Sequence, residues 1–308
     1  MKRTRIIMLI IGGLLLLSFQ FVLIRNYVTH VCEGVSYMSE KKPGKKPVVF
    51  CQKIISTKVH DEYGIHFSSN AKTLYFIRRL EEGPVIMYAG QGLYGWNKPG
   101  ILRFKDGFAI SQSCLNAEEN RLLLVHPSAN GVNDELFVST RQEGDWSMPE
   151  KITDTLLGPR IGSLTVSESG NVFYAGKTKE QDLPDILITE YRNQQYMPPW
   201  NPGKQINTCY RETDPFIAPD ESYLLFSSDR PDGYGGTDLY ISLRKNDGEW
   251  GSAINLGPII NSDLDEGSPY ISPDGQYLFF SRDNNQNTDI YWVSAQAIEA
   301  FPLGASKD

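Results

Sequence analysis

Apolar residues fall along this chain in two patterns. From Ile6 to Ile24 nineteen consecutive residues carry no charge, broken only by Gly12, Gly13, Ser18 and Gln20. After Pro47 the apolar runs are short, rich in aromatic and β-branched side chains, and punctuated by Ser, Pro, Asp, Asn and Gly. The first pattern predicts a single helix, and the second predicts strands joined by tight turns.

The strand pattern repeats. Residues 217–226 (Ile-Ala-Pro-Asp-Glu-Ser-Tyr-Leu-Leu-Phe) and 271–280 (Ile-Ser-Pro-Asp-Gly-Gln-Tyr-Leu-Phe-Phe) both read as strand, turn, strand. Weaker copies begin at Phe67, Leu115 and Val166, so the anchors at 67, 115, 166, 217 and 271 stand 48, 51, 51 and 54 residues apart. A third strand recurs at 135–139, 185–189, 238–242 and 289–293. Trp96, Trp146, Tyr196 and Trp250 are each expected to open a fourth, outer strand. Four antiparallel strands recurring every ~50 residues describe the blades of a β-propeller. The last copy lacks its fourth strand, because the chain ends soon after Trp292, while the apolar stretch 47–55 precedes the first copy without a blade of its own. The amino-terminal strand is therefore expected to complete the last blade, which removes the open edges of the ring. This gives an all-β fold of five four-stranded blades. The alternative of six blades has no sequence left to build the sixth.

The helical stretch changes the picture of where this propeller resides. Nineteen residues at 1.5 Å rise span about 28 Å, close to the thickness of a bilayer's hydrocarbon core. A removed signal peptide is the competing reading, but Phe19 to Arg25 offers no Ala-x-Ala cleavage site. Thr29-His30-Val31 ahead of Cys32 lacks the small residue expected before a lipidated cysteine. An uncleaved signal anchor is expected, with the basic residues Lys2, Arg3 and Arg5 holding the amino terminus in the cytoplasm. The organisation is then a basic tail at 1–5, a transmembrane anchor at 6–24, a linker at 25–46, a propeller at 47–301 and a tail at 302–308. The expected address is the inner membrane, crossed once, with the propeller periplasmic or extracellular.

Composition narrows the function. With 30 Lys and Arg against 37 Asp and Glu, the 308 residues carry a net charge of -7. The propeller has no basic run, so nucleic acid is a poor partner. The four cysteines show no metal-ligand spacing. Cys114 falls on a predicted inner strand and reads as core, and Cys51 and Cys209 pair only if their blades adjoin.

The candidate chemistry lies at repeated positions. Glu62, Glu212 and Glu266 each stand five residues before their anchor, at the start of an innermost strand, where such positions crowd one mouth of the channel. Three carboxylates there would hold a cation or supply an acid and a base. The favoured reading is structural, with each Glu capping backbone or meeting a cation such as Arg211, because repeated residues solve repeated packing problems. Ile110 and Ile161 interrupt the set. His60 and His66 flank Glu62 near the same mouth. Asp229, Asp232 and Asp238 share a Gly-rich loop that suits calcium, although a wide hairpin needs the same glycines. No Gly-x-Ser-x-Gly elbow is present.

Residues 265–281 (Asp-Glu-Gly-Ser-Pro-Tyr-Ile-Ser-Pro-Asp-Gly-Gln-Tyr-Leu-Phe-Phe-Ser) and 227–240, with Ser-Ser-Asp-Arg-Pro-Asp-Gly followed by Asp238-Leu239-Tyr240, resemble the WD-repeat-like blades of TolB-type envelope propellers. The match is specific over 211–294 and weak over 62–207, where Pro-Asp-Gly is lost. The resemblance implies an exported propeller without implying one activity. The expected role is a scaffold for another envelope protein, with no cofactor beyond a possible calcium ion. The alternatives are a carbohydrate-active hydrolase using the mouth carboxylates and a small-ligand or metal sensor.

Overall fold

The computed structural model describes Tyr37 and residues 40–93, 95–104, 112–115, 120–127, 134–142, 145–152, 161–177, 183–193 and 195–299. The expected anchor at 6–24 lies outside these residues. Among those described, no helix is long and apolar enough to cross a membrane.

Among the described residues five antiparallel blade sheets follow one another, with the Tyr191–Arg192 and Gln195–Tyr196 pair as a separate two-stranded sheet. The innermost strands of the blades are Asp61–Phe67, Gln112–Leu115, Ile161–Val166, Glu212–Ile217 and Asp265–Ile271. Each is followed by an antiparallel second strand, and where the connecting turn is described it explains the anchor motif. In the fifth blade the Ser272 hydroxyl donates to Asp274 Oδ1 at 2.6 Å and accepts the Tyr277 N–H at 3.0 Å. Ser68 makes the same two bonds, with Asn70 and Thr73. Gly275 then sits at φ +69°, a left-handed conformation that glycine adopts without a Cβ clash. Glu221 occupies the equivalent place at φ +60° in the fourth blade. Its carboxylate receives Ser167, Ser169 and Asn171 of the third blade.

The fifth sheet closes as the sequence predicts. Val48 pairs with Trp292 and Val49 with Tyr291, as Ile254 pairs with Ile241 and Asn255 with Tyr240 in the fourth blade. The core sits in the seams between blades. Five apolar clusters join blade one to two, two to three, three to four, four to five and five back to one. The ring therefore has five blades. Tyr37, from the segment expected to be linker, is buried in the closing seam against Phe67, Tyr277 and Phe279.

The outer strands differ from expectation. Trp96, Trp146 and Tyr196 belong to short hairpins, and Trp250 makes an isolated bridge to Arg244. The outer strands proper come later, at Gly100–Ile101, Glu150–Lys151 and Ile254–Asn255, with a single Ile188–Trp200 bridge in the third blade. Pro99, Pro149 and Pro199 stand between the two in the first three blades, where a residue without an N–H interrupts the ladder.

Candidate functional site

Glu62, Glu212 and Glu266 are fully buried, and each is bound within its own blade seam. The loop entering each blade supplies a hydroxyl and a backbone N–H. Thr57 Oγ1 and N donate to Glu62 at 2.8 and 2.9 Å, Thr208 to Glu212 at 2.7 and 3.0 Å, and Ser262 to Glu266 at 2.5 and 3.1 Å. The second strand supplies a guanidinium. Arg78 meets Glu62 at 2.7 Å, Arg230 meets Glu212 at 3.2 Å and Arg282 meets Glu266 at 2.7 Å. Each arginine also donates to the entering loop, at the carbonyls of Ile54 and Ile55, Ile206 and Ile260. Each guanidinium lies over Phe76, Phe226 or Phe280. The loop is also fastened to the preceding blade, where Ser56, Asn207 and Asn261 bond the backbone of Ile290, Ile186 and Leu239. The unit is a staple between blades. Each of the three carboxylates is occupied in its own staple, accepting from its own Ser or Thr and its own arginine. Ile161 holds the corresponding position in the third blade, and Ile110 lies outside the described residues.

Arg211 does not serve Glu212. It bonds Asp229 through its N–H at 2.7 Å and through Nε at 3.0 Å, mostly exposed. That contact also takes Asp229 out of the expected calcium trio. Asp238 is buried and accepts Tyr234 N–H, Gly235 N–H and Asn255 Nδ2, while Asp232 meets the Tyr240 hydroxyl at 3.4 Å. Among the described residues no group of three or more His, Cys, Asp and Glu side chains is placed to hold a metal. Cys209 is an exposed free thiol and Cys114 is also free. Cys51 is disulfide-bonded to a partner outside the described residues, so the Cys51–Cys209 pairing is excluded.

The groups that do converge lie deeper, in a central cavity of about 590 Å³ lined by all five blades. It is shaped by a repeated irregularity. The innermost strands of the first, third, fourth and fifth blades each carry a β-bulge or register shift, and in the first, fourth and fifth Gly64, Asp214 and Ser268 occupy it at φ +61°, +51° and +48°. Bulges re-aim side chains, and a left-handed serine or aspartate is a strained backbone typical of functional sites. Asp214 donates its N–H to Ser163 Oγ at 2.7 Å. Its carboxylate accepts from Ser163 and the Ser268 N–H, with Ser227 Oγ at 3.4 Å. Burial pushes this carboxyl above the usual range against those donors. A Cβ at Gly267 would stand 2.9 Å from Asp214 Oδ2, which explains the glycine there. Cys114 shares the wall, its thiol pushed up to about 12 by burial.

Of the two histidines, His60 lies on the rim loop ahead of Asp61–Phe67, and His66 lines the cavity. His66 donates to the Gly64 carbonyl, stacks on Tyr75 at 5.3 Å and leaves Nε2 without a hydrogen-bond partner. Burial lowers its pKa from 6.5 to about 4. Between those values the unfolded chain binds a proton that the folded protein refuses. Stability therefore falls as the pH drops from 6.5 towards 4, by up to about 3 kcal/mol. In thermal melts across this range, His66→Gln should flatten the slope relative to wild type. Parallel curves would show that His66 is not excluded from protonation.

No family model and no curated protein matches the chain. Among solved structures it is similar to a protein assigned as TolB from Agrobacterium tumefaciens, at 13% identity and TM-score 0.51, covering 77% of this chain and 78% of that one. It is similar to TolB from Acinetobacter baumannii at 14% identity and TM-score 0.49, covering 77% of this chain and 57% of that one. A gluconolactonase from Xanthomonas campestris follows at 10% identity and TM-score 0.48, covering 77% and 88%. The chain thus spans little more than half the length of the Acinetobacter protein. The likeness is one of fold, that of a TolB-type propeller.

Proposed function

We propose that this chain is a membrane-anchored β-propeller serving as a protein-binding scaffold in the bacterial envelope. The rim at which the innermost strands begin carries the proposal. In antiparallel blades, the loops that enter the first strand and those that join the second to the third share one end. On that rim Val59 is 78% exposed, Tyr234 50%, Ile259 46% and Tyr210 37%. Apolar and aromatic side chains held out among polar loops suit a protein partner. The glutamates of the same rim are occupied by their staples, whereas glycoside hydrolysis needs two carboxylates facing the sugar. The uncharged stretch 6–24 supplies the anchor, and a disulfide at Cys51 suits an oxidising compartment outside the cytoplasm.

A photo-crosslinking residue placed in cells at position 59 or 234 should capture the same envelope protein. Position 93, where Leu93 is 96% exposed on the opposite end, should not. Capture at neither rim position, or equally at 93, would overturn the scaffold reading.

A further inference from the structure

We propose that the central cavity binds a small organic ammonium ion, a primary amine carried on an apolar body. The inference goes beyond the scaffold reading and does not depend on it, since the cavity lies inside the ring rather than on its rim. Its charge comes first. No lysine or arginine is among the described residues lining the cavity. The buried glutamates Glu62, Glu212 and Glu266 each have an arginine, whereas Asp214 has only serine hydroxyls and a backbone N–H as donors, and no ion pair among the described residues. A carboxylate in a poorly solvated site attracts a cation strongly.

The shape and the remaining groups select the kind of cation. A divalent metal wants several hard ligands, and no cluster of three such side chains exists among the described residues. A primary ammonium needs fewer acceptors, and Asp214 supplies a charged one on the cavity wall. Phe67, Tyr270, Phe216 and Tyr223 form a continuous aromatic wall, with successive ring centroids 6.4, 5.4 and 6.4 Å apart. Such faces attract a cation and cover an apolar body. At about 590 Å³ the cavity has the size of a small-molecule site. Asp214 lines the cavity from a left-handed backbone position within a bulge, a strain without a counterpart at the stapled glutamates.

The test is calorimetric titration of the full-length protein in detergent at neutral pH. The expected result is that 2-phenylethylamine binds roughly tenfold or more tightly than 2-phenylethanol, the difference made by one ion pair, and that 3-phenylpropionate does not bind. Asp214→Asn keeps a residue that tolerates the left-handed backbone and should abolish the preference for the amine. Equal binding of amine and alcohol by the wild type, or an unchanged preference in Asp214→Asn, overturns the proposal. Nα-acetyl-lysine amide separates a free amine from a partner's lysine. Its polar backbone does not match the aromatic wall, so tighter binding of this probe than of 2-phenylethylamine would overturn the small-molecule assignment.

Discussion

Glu266→Ala is expected to destabilise the protein by about 3–5 kcal/mol, lowering its Tm by on the order of 10 °C for a domain of this size. The magnitude comes from what remains behind. Arg282 keeps a side chain that is only 15% exposed and loses its counter-charge, while the Ser262 hydroxyl and N–H lose their acceptor. The loop carrying Ile260 and Asn261, which holds the fourth blade through Leu239, then keeps Arg282 as its side-chain link to the fifth blade but loses the Ser262–Glu266 bonds. Changing both partners to apolar residues, Glu266→Leu with Arg282→Met, should cost less than either single change, because no charge is left buried. Arg211→Ala is the control, and breaking its exposed pair with Asp229 should cost no more than about 1 kcal/mol. Guanidinium titrations of the wild type, Glu266→Ala, Glu266→Leu, Arg282→Met, the double variant and Arg211→Ala measure all of these values. A loss below about 1 kcal/mol in Glu266→Ala would mean that the glutamate is not structural and would reopen a chemical role for it.

The repeat was legible in the sequence because its strands, turns and apolar seams recur with nearly constant spacing. Even the amino-terminal closure could be read, since one unpaired stretch matched one missing strand. The staple was half legible. Glu62, Glu212 and Glu266 stood out as equivalent, but their arginines lie 16 or 18 residues further on and meet them only through strand register. Glu62 pairs directly with Arg78 and Glu266 with Arg282. In the fourth blade Ser228 fills that place and Arg230 reaches back from beyond the strand. Arg211 was the wrong candidate for a simple reason: neighbours along an extended chain point to opposite sides. The cavity was not legible. Its bulge is a property of the backbone, and four blades open it with Gly64, Gly162, Asp214 and Ser268, too mixed a set to mark it in the sequence. The prolines at 99, 149 and 199 were a readable sign that the outer strands begin later than the aromatics.

Removing residues 1–56 should abolish the cooperative fold, although the strand lost is a short one in which Val48 and Val49 pair with Trp292 and Tyr291. The ladder itself contributes little, and the loss lies in what hangs from it. Phe50 is fully buried in the closing seam, 5.1 Å from the ring of Phe279 and 5.3 Å from that of Trp292. Ile55 is fully buried beside it, and the carbonyls of Ile54 and Ile55 are the acceptors of Arg78. Phe50→Ala alone should cost about 3–5 kcal/mol, while Val48→Ala, at a position already 44% exposed, should cost less than about 1 kcal/mol. The truncated chain would in addition present Thr288–Ser294 as an open edge, the template for pairing with another chain. Size-exclusion chromatography should find it associated, and a peptide spanning 44–56 added in trans should restore the monomer by taking the place of the missing strand. A truncated protein that stayed monomeric with an unchanged Tm would mean that the fifth blade is complete with three strands, and that the seam it shares with the first blade does not need Phe50 to hold the ring closed.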